Sequence, residues 1–401
     1  MASVWSGDVG GLTYSRRQGR GLGSLGNTRE TRKWGGEMTR LTPRLFTAEL
    51  PAESSAGSDT GERPVPPLPD VSAPASNEHP SAPIQVLGST GGIGTSIRRT
   101  VGQTDLEVFP LALGTSVFGW TAQSDASAAI LNRYYDFGGN FIDTADSYSA
   151  GRSEHIIGNW MARRGNRDDI VIATKIGTHP DNPGLGPVSM VRAVEASLER
   201  LQTDHIDLLY FHLDDRSVPL EDSLGTAQWL IETGKVRYLG ASNFAAERLV
   251  EARILSAAGY PRFEALETHY SLMHRRAFEG DLELVSRGQG LGVMPYFGLE
   301  NGFLTGKYRS RADLDDSARS VRVARHLNRN GLRVLHALDL VAHEQDAPVA
   351  AVALAWLLSR SGVTAPVASA SRPEQIDALV QASAIRLTRS QVVELERATR
   401  V

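Results

Sequence analysis

The sequence predicts a parallel α/β protein, a (β/α)8 TIM barrel over residues 96–401 behind a disordered extension of residues 1–95. Three observations predict it. From about residue 97, short apolar runs alternate with amphipathic helical patterns as far as the C-terminus, the alternation that successive βα units leave. The strand-like runs number eight, and a parallel sheet closes into a barrel at eight strands in about 250 residues plus insertions. Residues 1 to about 82 instead carry Gly, Ser, Pro and Arg clusters such as PAESSAGSDTGERPVPPLPD, which bury too little apolar surface to offset chain entropy.

The elements follow in order. VFPLALG (108–114) and NFIDTA (140–145) read as the first two strands, and SEHIIGNWMARRG after them as a helix closed by glycine. DIVIATKIG (169–177) precedes the helix pattern SMVRAVEASLERLQTD, and HIDLLYFHL (205–213) precedes EDSLGTAQWLIETG. VRYLGAS (236–242) is followed by ERLVEARILSAAG, then by the strands FEALETHY (263–270) and GLGVMPYF (290–297). VAAVALAWLLSRSG, the strand TAPVASA (364–370) and RPEQIDALVQASA complete the series. The strands are near-continuous apolar runs, as parallel strands covered on both faces are. The helices repeat apolar residues at helical spacing, and several end in Gly.

A second fold had to be weighed. IQVLGSTGGIGTSI (84–97) has the look of a strand, glycine turn and helix start of a dinucleotide-binding Rossmann unit. That unit needs an acidic residue at the end of its second strand to hold a ribose, and the strand ends in Gly114 and Thr115. LEVFPLALG is also the only candidate for the first barrel strand, and no further strands precede it. GLGSLG at 21–26 matches GxGxxG but has neither strand before it nor helix after it. Both segments are read as orphans.

Composition narrows the chemistry. The chain of 401 residues contains no cysteine, which excludes disulfides, thiolate metal sites and cysteine nucleophiles. Its formal net charge of -4 carries no nucleic-acid footprint. Without a run of eighteen apolar residues or a secretory leader pattern, the expectation is a cytoplasmic protein with no membrane partner, no metal and a small-molecule substrate.

Barrel active sites are built where strands end at their C-terminal face. There the sequence places Asp143, Lys175, His212, Ser242 with Asn243, Glu267 with Tyr270, and Tyr296, with Tyr148 just past Asp143 and Ser371 with Arg372 past the eighth strand. Singly, each has a structural explanation. Together, an Asp, a Lys, a His and a Tyr at one mouth are costly to bury without a purpose. A tyrosine has a reference pKa of about 10, so it donates a proton to a developing alkoxide only with a cation nearby, and Lys175 can supply it. Asp143 would hold the lysine, and His212 would orient the substrate oxygen. A rival reading pairs Asp143 with Asp146, Asp214 or Asp215 as a hydrolytic acid and base, or joins His205 and His212 to those acids as a metal site. It leaves Lys175 and the SNF and SRPEQ segments without roles.

The segments NFIDTADSYSAGRSEHIIG, IVIATKIG, DHIDLLYFHLDD, GKVRYLGASNF, PYFGLENGFLTGKY and PVASASRPEQIDAL resemble, in order and spacing, the motifs of the aldo-keto reductase family. The resemblance covers about residues 97 to 401. It implies a barrel that binds NADP(H) without a Rossmann fold and reduces aldehydes or ketones through Asp143, Tyr148, Lys175 and His212. It further implies that Ser242 and Asn243 bind the nicotinamide carboxamide, that Tyr296 stacks on the nicotinamide, and that the backbone around Gly302, Leu304 and Thr305 cradles the pyrophosphate. Ser371 and Arg372 fall where the 2'-phosphate binds, with Gly114, Ser369 and Gln375 in the same cofactor site. Phe118 and Trp120 are expected at the substrate pocket's rim. Alternatives within the resemblance are a reductase of nucleotide-linked keto sugars and a cofactor-binding regulatory subunit.

Three departures from the family pattern are visible. Glu267 stands where a Gln usually meets the carboxamide; ionised, it would favour the oxidised, cationic ring, and protonated it would not. FGLENG replaces the usual SPLAGG after Tyr296, and Ala378 and Leu379 replace the Glu and Asn often found near the adenine.

Overall fold

The computed structural model describes residues 97–315 and 318–400. The extension expected over residues 1–95, with the GLGSLG and IQVLGSTGGIGTS segments, lies outside the described residues.

The described chain opens with an antiparallel hairpin of β1 (Arg99–Thr100) and β2 (Glu107–Val108), which the sequence patterns had not separated from the first barrel strand. Pro110 follows β2, lacks an N–H for a ladder and so splits VFPLALG, leaving the first barrel strand as β3 (Ala112–Gly114). Then come α1 (Ser124–Asp136), β4 (Phe141–Asp143), α2 (Arg152–Arg164), β5 (Val171–Ile176), α3 (Pro187–Leu201), β6 (Ile206–Phe211) and α4 (Leu220–Glu232). The second half runs β7 (Val236–Ser242), α5 (Ala246–Ala257), β8 (Phe263–His269), α6 (Asp281–Gln289), β9 (Gly292–Tyr296), α7 (Ala318–Ala324), α8 (Arg329–Glu344), α9 (Val349–Leu358), β10 (Val367–Ala368), α10 (Glu374–Val380) and α11 (Arg389–Ala398).

Strands β3 to β10 form one parallel sheet in the order β10-β3-β4-β5-β6-β7-β8-β9. The remaining seam is closed just before β10, where the Val293 N–H donates to the Gly362 carbonyl at 2.9 Å and the Thr364 N–H to the Val293 carbonyl at 2.8 Å. Eight strands, one ring: the predicted barrel is what the chain forms. Between β9 and β10 the crossover is thickened. Nine of the ten residues of α9 are buried, as a helix apolar all round must be, and α8 runs before it with an apolar stripe that includes Val334, Leu338 and Val341.

The hairpin matters because it seals the end of the barrel opposite the site. Val101, Leu106 and Val108 join Phe141, Leu208, Tyr210 and Met294 in a buried cluster inside the sheet. At its tip Gly102 has φ +54°, and a Cβ there would lie 2.2 Å from the Glu264 carbonyl oxygen, so only glycine lets the hairpin approach β8 this closely.

Candidate active site

At the C-terminal ends of β4 and β5, Asp143 and Lys175 are buried and face each other. The Lys175 ammonium donates to Asp143 Oδ1 at 2.7 Å, to Oδ2 at 2.8 Å and to the Thr144 carbonyl at 3.0 Å. An ammonium has three N–H bonds, so all of them are committed. Glu267, buried on β8, brings Oε2 to 3.2 Å from the same nitrogen, yet that oxygen receives no hydrogen bond. Burial alone would lower the lysine's pKa, but Asp143, joined by Glu267 whenever that carboxyl is ionised, outweighs it and holds the group well above its ordinary value.

Tyr148 lies in the segment after β4, half-buried, with Lys175 Nζ 5.3 Å from its ring centroid. Burial raises the phenol above its ordinary pKa, and Lys175 only partly opposes this. The resting group therefore keeps its proton at neutral pH. The His212 ring meets that of Tyr148 edge-on at 6.2 Å. Burial, then the charge of Lys175, lowers the imidazole to about 3, so it is neutral. Its Nδ1 lies 2.9 Å from Thr178 Oγ1, which in turn lies 2.9 Å from Ser147 Oγ. When the threonine hydroxyl donates to Nδ1, the ring's proton sits on Nε2 and is available as a donor. Thr178 and Ser147 were not among the expected site residues; their positions after the β4 and β5 ends were the one sequence signal for them.

The residues expected around a nicotinamide are brought to the next three strands. Ser242 is buried at the end of β7, and Asn243 follows it with φ +58°, a conformation asparagine tolerates. Asn243 Nδ2 donates to the His212 carbonyl at 3.1 Å and to Ser242 Oγ at 3.0 Å, and its Oδ1 accepts from the Tyr296 hydroxyl at 2.6 Å. A serine hydroxyl, an aromatic ring and a buried Glu267 oxygen that lacks a donor fit the amide and ring of a nicotinamide.

Beyond Tyr296 the FGLENG segment is fastened by contacts the sequence did not reveal. Glu300 is buried, accepting from His269 Nε2 at 2.9 Å and from Ser271 Oγ at 2.5 Å, while His326 Nε2 stands 3.3 Å from its other oxygen. Burial would raise its pKa, but the hydrogen bonds from His269 and His326 hold it at about 2. His269 stacks on His274 at 3.8 Å and on Tyr296 at 5.6 Å, so the ring expected under a nicotinamide is backed by this cluster. The turn itself takes positive φ at Phe297, Glu300, Asn301 and Gly302, before Leu304 and Thr305.

At the eighth strand the Gln375 side chain accepts from the Ser371 N–H at 2.8 Å and the Arg372 N–H at 3.3 Å, capping the turn into α10. Arg372 and Ser369 are exposed. Gly114 is buried beside Ser369, where a Cβ would come within 2.9 Å of the serine oxygen. Leu379 belongs to the core, so it presents no polar group to an adenine. Of the two aromatics expected at the rim, Trp120 is 62% exposed and Phe118 is wholly buried among core residues.

Of the rival groups, Asp146 is buried and answers to Glu154 and Arg200 rather than to Asp143. Asp214 is tied to Arg248 at 2.8 Å, Asp215 accepts from the Leu185 N–H at 2.9 Å, and His205 and His212 flank opposite ends of β6. Among the described residues no group of three or more His, Asp or Glu is arranged to hold a metal ion, and no helix is long and apolar enough to cross a membrane.

The family model for aldo/keto reductases matches residues 110–400. The chain belongs to this family. It is 33% identical over 312 residues to norsolorinic acid reductase B of Aspergillus parasiticus, covering 73% of this chain and 81% of that one. It is 30% identical over 309 residues to an aryl-alcohol dehydrogenase of Pestalotiopsis microspora, covering 73% and 79%. With the oxidoreductase YrpG of Bacillus subtilis it shares 36% over 304 residues, covering 72% and 91%. The chain is accordingly an oxidoreductase of the aldo/keto reductase family, whose members generally use NAD(P)H.

Proposed function

We propose that this chain reduces apolar, aryl-type aldehydes or ketones with NADPH, Tyr148 giving the proton. The observation that carries the reading is the grouping of a protonated phenol, a neutral imidazole and an ammonium held by Asp143 at one barrel mouth. Bound NADPH supplies the hydride. Ser242, Asn243 and Glu267 would hold its carboxamide, Tyr296 its ring, the backbone at Gly302, Leu304 and Thr305 its pyrophosphate, and Ser371 with Arg372 its 2'-phosphate, beside Gly114, Ser369 and Gln375. A guanidinium suits that phosphate by its forked donors.

The protein's own part is proton handling and orientation. His212, through Nε2, donates to the carbonyl oxygen and fixes it beside the Tyr148 hydroxyl. Tyr148 releases its proton to that oxygen as negative charge develops there. Lys175 stabilises the phenolate left behind, and Asp143 keeps the ammonium charged and in place.

The substrate class rests on the mouth's rim. Trp120 after β3, Leu213 after β6 and Phe297 after β9 are 62%, 42% and 46% exposed in the loops that follow three strand ends at the mouth, which supports an apolar rim. Such surface covers a flat hydrocarbon ring and gives a sugar no hydrogen-bond partners. The Pestalotiopsis relative, an aryl-alcohol dehydrogenase, agrees. The test is twofold: quenching of tryptophan fluorescence by NADPH, and NADPH oxidation with an aryl aldehyde against a nucleotide-linked keto sugar. Turnover confined to the sugar would sink the substrate class, and no quenching with no turnover would sink the function.

A further inference from the structure

Two buried carboxylates face one ammonium at this mouth, and only one of them is hydrogen-bonded to it. Asp143 takes two of the three Lys175 donors and the Thr144 carbonyl takes the third, which leaves Glu267 Oε2 at 3.2 Å with a charge nearby and no proton to accept. An Asp143–Lys175 pair is neutral as a unit. A second anion beside it would be a net buried charge, the costliest arrangement available at a position this buried. The side chain avoids that cost by keeping its proton, and a carboxylic acid then presents a donor beside an acceptor, as an amide does, though with one N–H fewer than glutamine.

We propose that Glu267 is a protonation switch for cofactor redox state, acting as a neutral amide mimic in its acid form and, once ionised, favouring the oxidised dinucleotide over the reduced one. The proposal rests on the nicotinamide reading of the site, since it needs the cationic ring of the oxidised cofactor near β8.

The surroundings give the switch its sign. The charged or titratable groups facing Glu267 are Asp143 on β4, Tyr148 after it, Lys175 on β5, Tyr210 on β6 and Tyr296 on β9. Its sheet neighbours Ser242 and Met294 carry no charge. Burial and then Asp143 push its pKa up to about 8, and Lys175 only partly opposes them. The three tyrosines are all raised as well, burial being the main cause, so they stay neutral throughout. Asp143 is raised in direction too, but with both oxygens on the ammonium it is the member of the pair that holds the charge. Raising the pH through about 8 thus adds one negative charge beside the ring site. Were the ring bound beside β8, that charge would favour a cationic ring over a neutral one by roughly tenfold or more after solvent screening. Because the positive ring also eases loss of the proton, oxidised cofactor should release a fraction of a proton on binding near neutral pH.

The experiment measures dissociation constants of NADP+ and NADPH for the full chain and for Glu267→Gln between about pH 6.5 and about pH 9.5. Titration of the 2'-phosphate cancels in their ratio. The expected result is a ratio of NADP+ to NADPH constants that falls about tenfold with rising pH in the wild type and stays within about twofold in the variant. A flat wild-type ratio, or the same fall in Glu267→Gln, would overturn the switch while leaving cofactor binding intact. If neither nucleotide binds at any pH, the nicotinamide reading itself falls. Independently of any ligand, infrared difference spectra of the free protein, with Glu267→Gln subtracted from wild type to remove the contribution of the other raised carboxyl, Asp146, should leave a protonated-carboxyl stretch that fades with rising pH; no such difference between the two proteins would also overturn the proposal.

Discussion

His212 depends on a neighbour that sequence reasoning did not select. Its Nδ1 is held by Thr178, and without that hydroxyl the neutral ring is free to change tautomer or turn, so that Nε2 no longer presents a proton to a substrate oxygen. Thr178→Val should therefore lower kcat/KM by about tenfold, with cofactor affinity unchanged and Thr178→Ser restoring most of the loss. Equal rates for Val and wild type in steady-state assays would remove Thr178 from the positioning of the ring. Asp143, Lys175, Tyr148 and His212 themselves were legible because polar residues interrupt otherwise apolar strands at the end where barrels bind. Thr178 and Ser147 were not, since a hydroxyl residue in a loop is the commonest thing a loop contains.

The segment from β9 to α7 shows how an element can be reshaped by one buried side chain. FGLENG was visibly a departure, but nothing in six letters said that Glu300 would turn inward to His269, Ser271 and His326, which are remote in sequence. The folded pKa of Glu300 is depressed from 4.5 to about 2, so its contribution to stability is fully present above 4.5 and is lost as pH falls toward 2. Glu300→Gln should melt below the wild type at pH 7, and the gap should close as the pH is lowered through that window. Parallel melting curves with a constant gap would show that the carboxylate's charge contributes nothing. The first barrel strand illustrates a limit on reading strands: Pro110 was in plain view, yet the split of VFPLALG into β2 and β3 follows from a hairpin whose partner, β1, is two residues long.

At the scale of the molecule, the barrel was legible because eight apolar runs separated by helical periods admit few other closed arrangements. How its floor is sealed was not, because Val101, Leu106 and Val108 form no periodic pattern and are recognised only by what they cover. A chain starting at residue 97 keeps the hairpin and should melt and turn over as the full chain does. A chain starting at residue 109 exposes the interior cluster of Phe141, Leu208 and Met294 and should fail to give a cooperative transition. Calorimetry of both truncations checks this, and a cooperative melt of the shorter one near the wild-type temperature would show the hairpin to be dispensable. The account as a whole stands on Tyr148 being the proton donor at a mouth that holds NADPH. The most direct measurement is single-turnover oxidation of bound NADPH by an aryl aldehyde in the wild type and in Tyr148→Phe, with NADPH affinity determined for both. The predicted result is a rate lower by at least about 100-fold in the variant at an affinity within about twofold; a variant that turns over at the wild-type rate would contradict it.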